Sequence, residues 1–258
     1  MSARPPVACV IPTHGRPALL TEALRSVAAQ SLLPAAIYVV DDEGSEQTRA
    51  AVTAFARETS VLVHYCAHVE GRGPSTSRNF GARVADAEWL AFLDDDDRWL
   101  PDYLSTALAH EAADIVLVAR WDFDSAGGRR PGKTPEPSYD ERHWLRQNLG
   151  GTGSSMLIRR ELFLAIGGFD PKLHSGEDRD LVIRAMRAGA RYAAVVERLL
   201  EHRDDGPRLT TDARAILGSQ LRFLRKHARA MSAGDVLYAL RKIARALRRS
   251  RWRATPAA

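Results

Sequence analysis

Cysteine is scarce in this 258-residue chain: Cys9 and Cys66 are the only two. Two thiols cannot build the disulfide framework of a small secreted domain, and neither sits in a metal-type spacing. A reducing, cytoplasmic setting is the expectation. Long apolar runs are missing too. No stretch approaches the ~18 residues a helix needs to cross a bilayer. Residues 1–6 lack the charged region, apolar run and small-residue cleavage site of a signal peptide and lead straight into a strand pattern. There is no internal repeat and no long low-complexity segment. Disorder is excluded by what is present, since 45% of residues are hydrophobic and 27% charged. A chain of this length holds one large α/β domain, or one domain with a small appendage.

The net charge of +5 invites a nucleic-acid reading. Its distribution argues against it. Residues 222–258 carry eleven Lys/Arg and one acid, Asp235, which leaves 26 basic and 31 acidic residues in 1–221. The body is acidic and only the tail is basic.

The first hundred residues alternate strand-like and helix-like runs. Strands are expected at 7–11, 37–40, 61–65 and 89–93, with helices from Pro17, over 46–58 and from Pro74. This alternation predicts a largely parallel sheet covered on both faces, with ligands beyond the carboxyl ends of its strands. Two of those ends carry acids, Asp41-Asp42 and Asp94-Asp95-Asp96-Asp97. Further on, 114–118 reads as a strand, 121–139 as a long loop or flap, 177–188 as a helix, and the chain from Thr210 as helical with a break near 232–234.

Four adjacent carboxylates at a strand end repel one another, and a divalent cation bound by oxygen ligands offsets that repulsion. The plainer reading is a capping turn before a helix near Arg98. Asp41 and Asp42 suit ribose hydroxyls or a base N–H as well as they suit a turn. Gly71-Arg72-Gly73 before a helix offers backbone N–H groups to phosphate or sugar oxygens, but it is neither a GxGxxG nor a Walker loop. Glu177-Asp178-Arg179-Asp180 opens a helix, where acids suit the dipole; a carboxylate there also suits a general base if the fold brings it near the acidic loop.

Five segments in order carry a resemblance. Val10-Ile11-Pro12-Thr13-His14-Gly15-Arg16-Pro17, Val39-Val40-Asp41-Asp42-Glu43-Gly44-Ser45, Ser77-Arg78-Asn79-Phe80-Gly81 and Ala91-Phe92-Leu93-Asp94-Asp95-Asp96-Asp97 are the first four. Ile166-Gly167-Gly168-Phe169-Asp170 followed by Gly176-Glu177-Asp178-Arg179-Asp180-Leu181 is the fifth. Together they resemble the family 2 glycosyltransferases over roughly residues 6–205. His14-Gly15 and Glu43 depart from the commonest family pattern. The resemblance implies an α/β type-A glycosyltransferase fold: a Rossmann-like, mixed, mostly parallel sheet flanked by helices. The catalytic domain would span 1–205, with a nucleotide-binding half at 1–100 and an acceptor-binding half at 101–205. A C-terminal helical extension would follow at 206–258.

It also implies chemistry. A nucleotide-sugar donor, with UDP as the expected nucleotide, would be bound by Pro12, Thr13, Arg16, Asp41, Asp42, Gly73, Arg78, Asp94 and Asp95. Asp96 and His202 would ligate Mn²⁺ or Mg²⁺. Asp178 would be the base, with Glu177 beside it, taking a proton from an acceptor hydroxyl during inverting displacement. The acceptor would be a saccharide or a lipid-linked glycan of bacterial surface synthesis. The chain carries no Gln-x-x-Arg-Trp motif of processive synthases, so single addition is favoured. A nucleotidyltransferase and a catalytically degenerate binding subunit are the rivals.

The tail has its own pattern. Val236, Leu240, Ile243, Ala244 and Leu247 fall at 3–4 spacing among Arg241, Lys242, Arg245, Arg248 and Arg249, with Trp252 beyond. A basic amphipathic helix over 234–253 suits an anionic membrane surface, and equally suits packing on the domain. No nucleic-acid partner is expected, and the localisation implied is cytoplasmic, peripheral to the inner face of the membrane.

Overall fold

The computed structural model describes residues 7–67, 73–124, 126–204, 213–241 and 243. Nine strands, eight α-helices and a further helical stretch at 233–241 are found among them. The strands are β1 (Val7–Thr13), β2 (Ala36–Asp41), β3 (Leu62–Ala67), β4 (Trp89–Phe92), β5 (Arg98–Trp99), β6 (Ile115–Phe123), β7 (Arg129–Pro131), β8 (Met156–Arg159) and β9 (Tyr192–Arg203). The helices are α1 (Pro17–Ala28), α2 (Glu46–Glu58), α3 (Pro74–Val84), α4 (Tyr103–Leu108), α5 (Glu141–Arg146), α6 (Arg160–Ala165), α7 (Glu177–Arg187) and α8 (Ala213–His227).

One sheet carries all nine strands, in the order β3-β2-β1-β4-β8-β6-β9-β5, with β7 paired to the end of β6. β1 to β4 are parallel. β8 runs antiparallel between β4 and β6, so β6 and its parallel neighbour β9 point the same way as β1. The sheet is therefore mixed, with its parallel half first. The register crosses residue 100 without a break, because β4 pairs with β8.

Apolar residues on both faces make β1 a central strand; all seven of its residues are buried. Val7, Cys9 and Ile11 face a core shared with Leu20, Leu24 and Val27 of α1 and Val52 and Phe55 of α2. Ala8 and Val10 face the opposite core, built on Phe92, Phe163, Phe169, Trp144 and Ile183. Helix α1 starts at Pro17 and buries Leu20, Ala23, Leu24 and Val27 at 3–4 spacing. Ser45 caps α2 by accepting from the Thr48 N–H at 3.1 Å.

Three expectations change. Asp97 caps no helix; β5 follows it, and α4 begins only at Tyr103. The stretch 121–139 is not loop throughout, since Trp121–Phe123 continue β6 and pair with both β7 and β9. The long strand β9 was not expected at all. Its Ala, Glu, Leu and Arg content is helix-forming, but pairing along the whole of β6 overrides that propensity. Two register shifts between Val118 and Arg120 mark irregular pairing, a device that re-aims strand ends beside sites.

Helix α8 packs on α7, burying Phe223 and His227. The His227 Nε2 lies 2.9 Å from Asp180, which has no exposed surface, and Lys226 and Arg184 reach the same carboxylate at 2.8 and 2.7 Å. Beyond a break at 231–232 the chain is helical again over 233–241. Ile243 turns inward while Leu237 and Leu240 stay exposed. Ala244, Leu247 and Trp252, with residues 244–253 generally, lie outside the described residues, as do Gly71 and Arg72.

Candidate active site

The carboxyl ends of β1, β2, β4 and β9 meet the N-terminus of α7 around one cavity of about 240 Å³. Eleven expected residues line it: Pro12, Thr13, Arg16, Asp42, Arg78, Asp94, Asp95, Asp96, Glu177, Asp178 and His202. Two do not. Asp41 is fully buried and closes its own turn, accepting from the Glu43 and Ser45 N–H groups at 3.1 and 3.0 Å and from the Tyr65 hydroxyl at 2.9 Å. Gly73 sits one residue outside the wall, at the start of α3, and Pro74 lines the cavity instead.

The helix α3 motif explains how Arg78 is held. Gly81 lets α3 sit on the sheet, because a Cβ there would meet Val10 Cγ1 at 2.4 Å. Asn79 reaches the other way and grips the backbone of Phe169, donating to its carbonyl at 2.8 Å and accepting from its N–H at 2.9 Å. Gly168, at φ +67°, turns the chain so that Phe169 can enter the core. The Arg78 guanidinium lies 5.2 Å from the Phe169 ring centroid. Two segments ninety residues apart in sequence thus form one support for a single buried arginine.

Each aspartate of the acidic loop has a basic partner, and two of them share one. Asp94 pairs with Arg78, Asp95 and Asp96 with Arg16, and Asp97 with His202 at 3.1 Å. Burial pushes Asp95 up to about 7, against the pull of Arg16 and of Thr13, whose hydroxyl donates to it at 2.7 Å. Burial also raises Asp96, with the charges of Asp97 and Asp94 adding to the effect and Arg16 opposing it. Asp97 is buried as well, yet His202 and its hydrogen bonds hold it below the usual range. One of those bonds comes from the Arg203 N–H at 3.0 Å.

Across the cavity, Glu177 and Asp178 form the first turn of α7, where the helix dipole favours negative charge. Burial pushes Asp178 well above the usual carboxylate range, the Glu177 charge adds to this, and Arg78 opposes it. Glu177 rises for the same first reason and lies 3.8 Å from Arg78. Burial disfavours the Arg78 charge, but Asp94, Asp178 and Glu177 together keep it firmly protonated.

Sequence reasoning missed the loop before β8. Ser154 is buried at its centre: its hydroxyl accepts from the Asp94 N–H at 2.9 Å, and its carbonyl accepts from Trp99 Nε1 and the Tyr103 hydroxyl. At Gly153 a Cβ would sit 2.9 Å from the Arg78 guanidinium. The run Gly150-Gly151-Thr152-Gly153-Ser154 was legible as a turn, but nothing in it named Arg78 as its neighbour.

Among the described residues, nine buried side-chain polar atoms have no hydrogen-bond partner, and five belong to residues of this cavity. They are Ser77 Oγ, Arg78 Nε and Nη1, Thr152 Oγ1 and Asp178 Oδ1. Unpaired buried polar atoms cost about 1–3 kcal/mol each. Their convergence on one cavity marks a site built to meet a polar ligand.

The model of the family described as "Glycosyl transferase family 2" matches residues 8–167, more than half of the chain. The chain belongs to glycosyl transferase family 2. Its fold is that of the type-A glycosyltransferases. A mannosyltransferase from Pyrobaculum calidifontis, in complex with GDP-Man and Mn²⁺, superposes with a TM-score of 0.64 at 19% identity, covering 98% of this chain and 77% of that one. Residues 1–349 of S. aureus TarS, in complex with UDP-GlcNAc, give a TM-score of 0.65 at 18% identity, covering 85% of this chain and 66% of that one. A Campylobacter jejuni enzyme named GalNAc(5)-diNAcBac-PP-undecaprenol beta-1,3-glucosyltransferase is 31% identical over 104 residues, 40% of this chain and 34% of that one. The chain spans about a third to three fifths of the length of the first curated relatives it matches.

Proposed function

We propose that this glycosyltransferase moves a sugar from a UDP-sugar to an acceptor hydroxyl with inversion, using Asp178 as the base. The observation that carries the reading is the set of buried polar atoms without hydrogen-bond partners around the cavity, Asp178 Oδ1 among them. Pro12, Thr13 and Asp42 border the nucleotide end of that cavity, where Asp42 also holds His14 Nδ1 at 2.6 Å. Arg78 and Asp94 stand between the nucleotide end and α7. Asp178 accepts the acceptor's proton as its oxygen attacks the anomeric carbon. The bond to the nucleoside diphosphate breaks on the opposite face, so one carboxylate suffices and no covalent intermediate is required. Burial and the Glu177 charge raise the proton affinity of Asp178, which makes its ionised form the stronger base.

The residues present fit a divalent cation. Asp96 is 30% exposed on the cavity and feels the charges of Asp97 and Asp94, opposed by Arg16. His202 turns Nδ1 to buried Asp97, the arrangement that orients a ligating imidazole through its other nitrogen. Among the described residues no group of three or more His, Cys, Asp or Glu side chains is placed to hold an ion alone. Asp96 and His202 would therefore share it with substrate oxygens, as Mg²⁺ and Mn²⁺ sites commonly do. When bound, the cation neutralises charge developing on the diphosphate.

The test is a UDP-release assay across UDP-hexoses and UDP-N-acetylhexosamines with candidate acceptors. Asp178→Asn should lower kcat by roughly 10²–10⁴-fold while leaving UDP affinity nearly unchanged. Retained turnover in that variant, or release of pyrophosphate in place of UDP, overturns the reading.

A lipid-linked acceptor of bacterial surface-glycan synthesis is part of the same proposal, supported by the undecaprenol-linked substrate in the C. jejuni relative's name. The tail is suited to reach it at the inner face of the membrane. No helix of the described residues is long and apolar enough to cross a membrane. On the 233–241 helix, Leu237, Tyr238 and Leu240 are 48, 43 and 44% exposed beside Arg241. Vesicles with anionic lipid should retain the protein and neutral ones should not. Loss of this retention in Leu237→Ser/Leu240→Ser supports the surface; equal retention in both proteins removes it.

A further inference from the structure

Arg16 is the one arginine of the site that binds two adjacent carboxylates of the acidic loop. Its Nε and Nη2 hold Asp95, the Nε bond being 3.2 Å long, and its Nη1 donates to Asp96 at 2.7 Å. The two partners differ. Asp95 is 1% exposed and also accepts from the Thr13 hydroxyl at 2.7 Å. Asp96 is 30% exposed, and Arg16 itself is 32% exposed on the cavity. The backbone of Arg16 is held just ahead of Pro17, where α1 starts. The guanidinium is therefore anchored on a buried carboxylate, with one N–H edge laid over the carboxylate that faces the ligand.

We infer that Arg16 is a built-in stand-in for the divalent cation, which must be displaced from Asp96 before that cation binds fully. The inference rests on the reading of Asp96 as a metal ligand. A guanidinium and a divalent cation on one carboxylate repel each other, so each weakens the other's hold. A nucleoside diphosphate resolves the conflict. Its phosphate oxygens take the Nη1 edge in the fork geometry that guanidinium favours, and Asp96 passes to the cation. Arg16 keeps its pair with Asp95 throughout and needs only a small rotation. Cation and nucleotide binding are thereby coupled, and the nucleotide-free site keeps its acidic loop neutralised without metal. Coupling of this kind is reciprocal.

The experiment titrates Mn²⁺ into the full chain, with and without UDP, following the electron paramagnetic resonance signal of free aqueous Mn²⁺. Wild type, Arg16→Gln and Arg16→Gln/Asp96→Asn are compared, with thermal melts recorded for each. In wild type, UDP should raise Mn²⁺ affinity by roughly 5–150-fold, the usual span of coupling. In Arg16→Gln, the nucleotide-free affinity should rise by about tenfold, and the increment due to UDP should shrink by the same factor. The added Asp96→Asn should abolish that gain. A tighter site is not what structural damage produces.

If wild type binds Mn²⁺ with UDP but Arg16→Gln shows no gain without it, Arg16 is no stand-in and the inference falls alone. A gain that survives Asp96→Asn also overturns it. If neither protein binds Mn²⁺ even with UDP, the cation reading fails and takes the inference with it. Should Arg16→Gln not fold, Arg16→Lys serves in its place. Its single ammonium cannot span both carboxylates, so a smaller gain is expected, and its absence is equally decisive.

Discussion

Asn79 does not line the cavity, yet replacing it should cripple the site. Its amide makes two hydrogen bonds to the Phe169 backbone, at 2.8 and 2.9 Å. In Asn79→Ala both the N–H and the carbonyl of Phe169 lose that partner. Each such loss costs about 1–3 kcal/mol where water cannot replace the bond. Asn79 is itself only partly buried, so the lower part of the range applies and the pair sums to about 3 kcal/mol. For a domain of this size each kcal/mol moves the melting temperature by about 2–4 °C, which gives a drop of about 6–12 °C. Function should fall further than stability requires, because Phe169 backs the Arg78 guanidinium. Asn79→Asp isolates the argument. It keeps an acceptor for the N–H but sets a carboxylate oxygen against the Phe169 carbonyl. That clash is relieved only when the carboxyl is protonated. Asn79→Asp should therefore match Asn79→Ala at pH 8 and recover toward wild type near pH 4–5, around the ordinary carboxyl range. The measurement is differential scanning fluorimetry at both pH values, alongside kcat/KM. An Asn79→Ala melt within 2 °C of wild type, or an Asn79→Asp protein as stable as wild type at pH 8, would refute the reasoning.

Gly81→Ala places a methyl 2.4 Å from Val10 Cγ1 in a close-packed core, and should cost about 1–3 kcal/mol by forcing α3 off β1; an unchanged urea midpoint would show that the contact relaxes freely. Asp180 is held below its ordinary range despite burial, chiefly by its hydrogen bond to His227 with Arg184 and Lys226 assisting. A depressed carboxyl stabilises the fold above its unfolded pKa of about 4 and loses that contribution as pH falls toward the folded value. Asp180→Asn should accordingly lower the melting temperature at pH 7 and narrow the gap to wild type as the pH drops below 4. A gap of constant size from pH 7 to pH 3 would show that Asp180 carries no such charge-dependent role.

Much of this was legible in the chain alone, because local chemistry fixed it. The six apolar residues that open β1 can be buried only inside a sheet, and Pro17, Ser45 and Pro74 mark helix starts through their own backbone and side-chain preferences. The acids at the ends of β2 and β4 stood where a parallel sheet leaves its ligand crevice, while Pro12, Thr13, Arg16, Arg78 and His202 were named by the family resemblance alone. Other features were not legible, for reasons of distance and competition. β9 is built from helix-forming residues, and only the length of β6 beside it makes it a strand. Asp41 and Asp42 are equivalent as letters; the strand's alternation sends one into its own turn and the other to the cavity. Ser154 matters because Trp99, Tyr103 and Asp94 converge on it from another part of the sequence. Helix α8, by sequence an appendage, closes over Asp180 and so helps fix the helix that begins with Glu177 and Asp178.

The sequence by itself determined most elements of the first hundred residues, the crevice and the residue types that do chemistry there, since these depend on period, capping and strand ends. Tertiary structure decided which carboxylate meets which cation. Arg78 on Asp94, Arg16 on Asp95 and Asp96, and His202 on Asp97 are pairings across 16 to 105 positions. No local rule sets them, because each depends on where packed strands and helices bring side chains together, and burial then fixes how strongly each charge is felt.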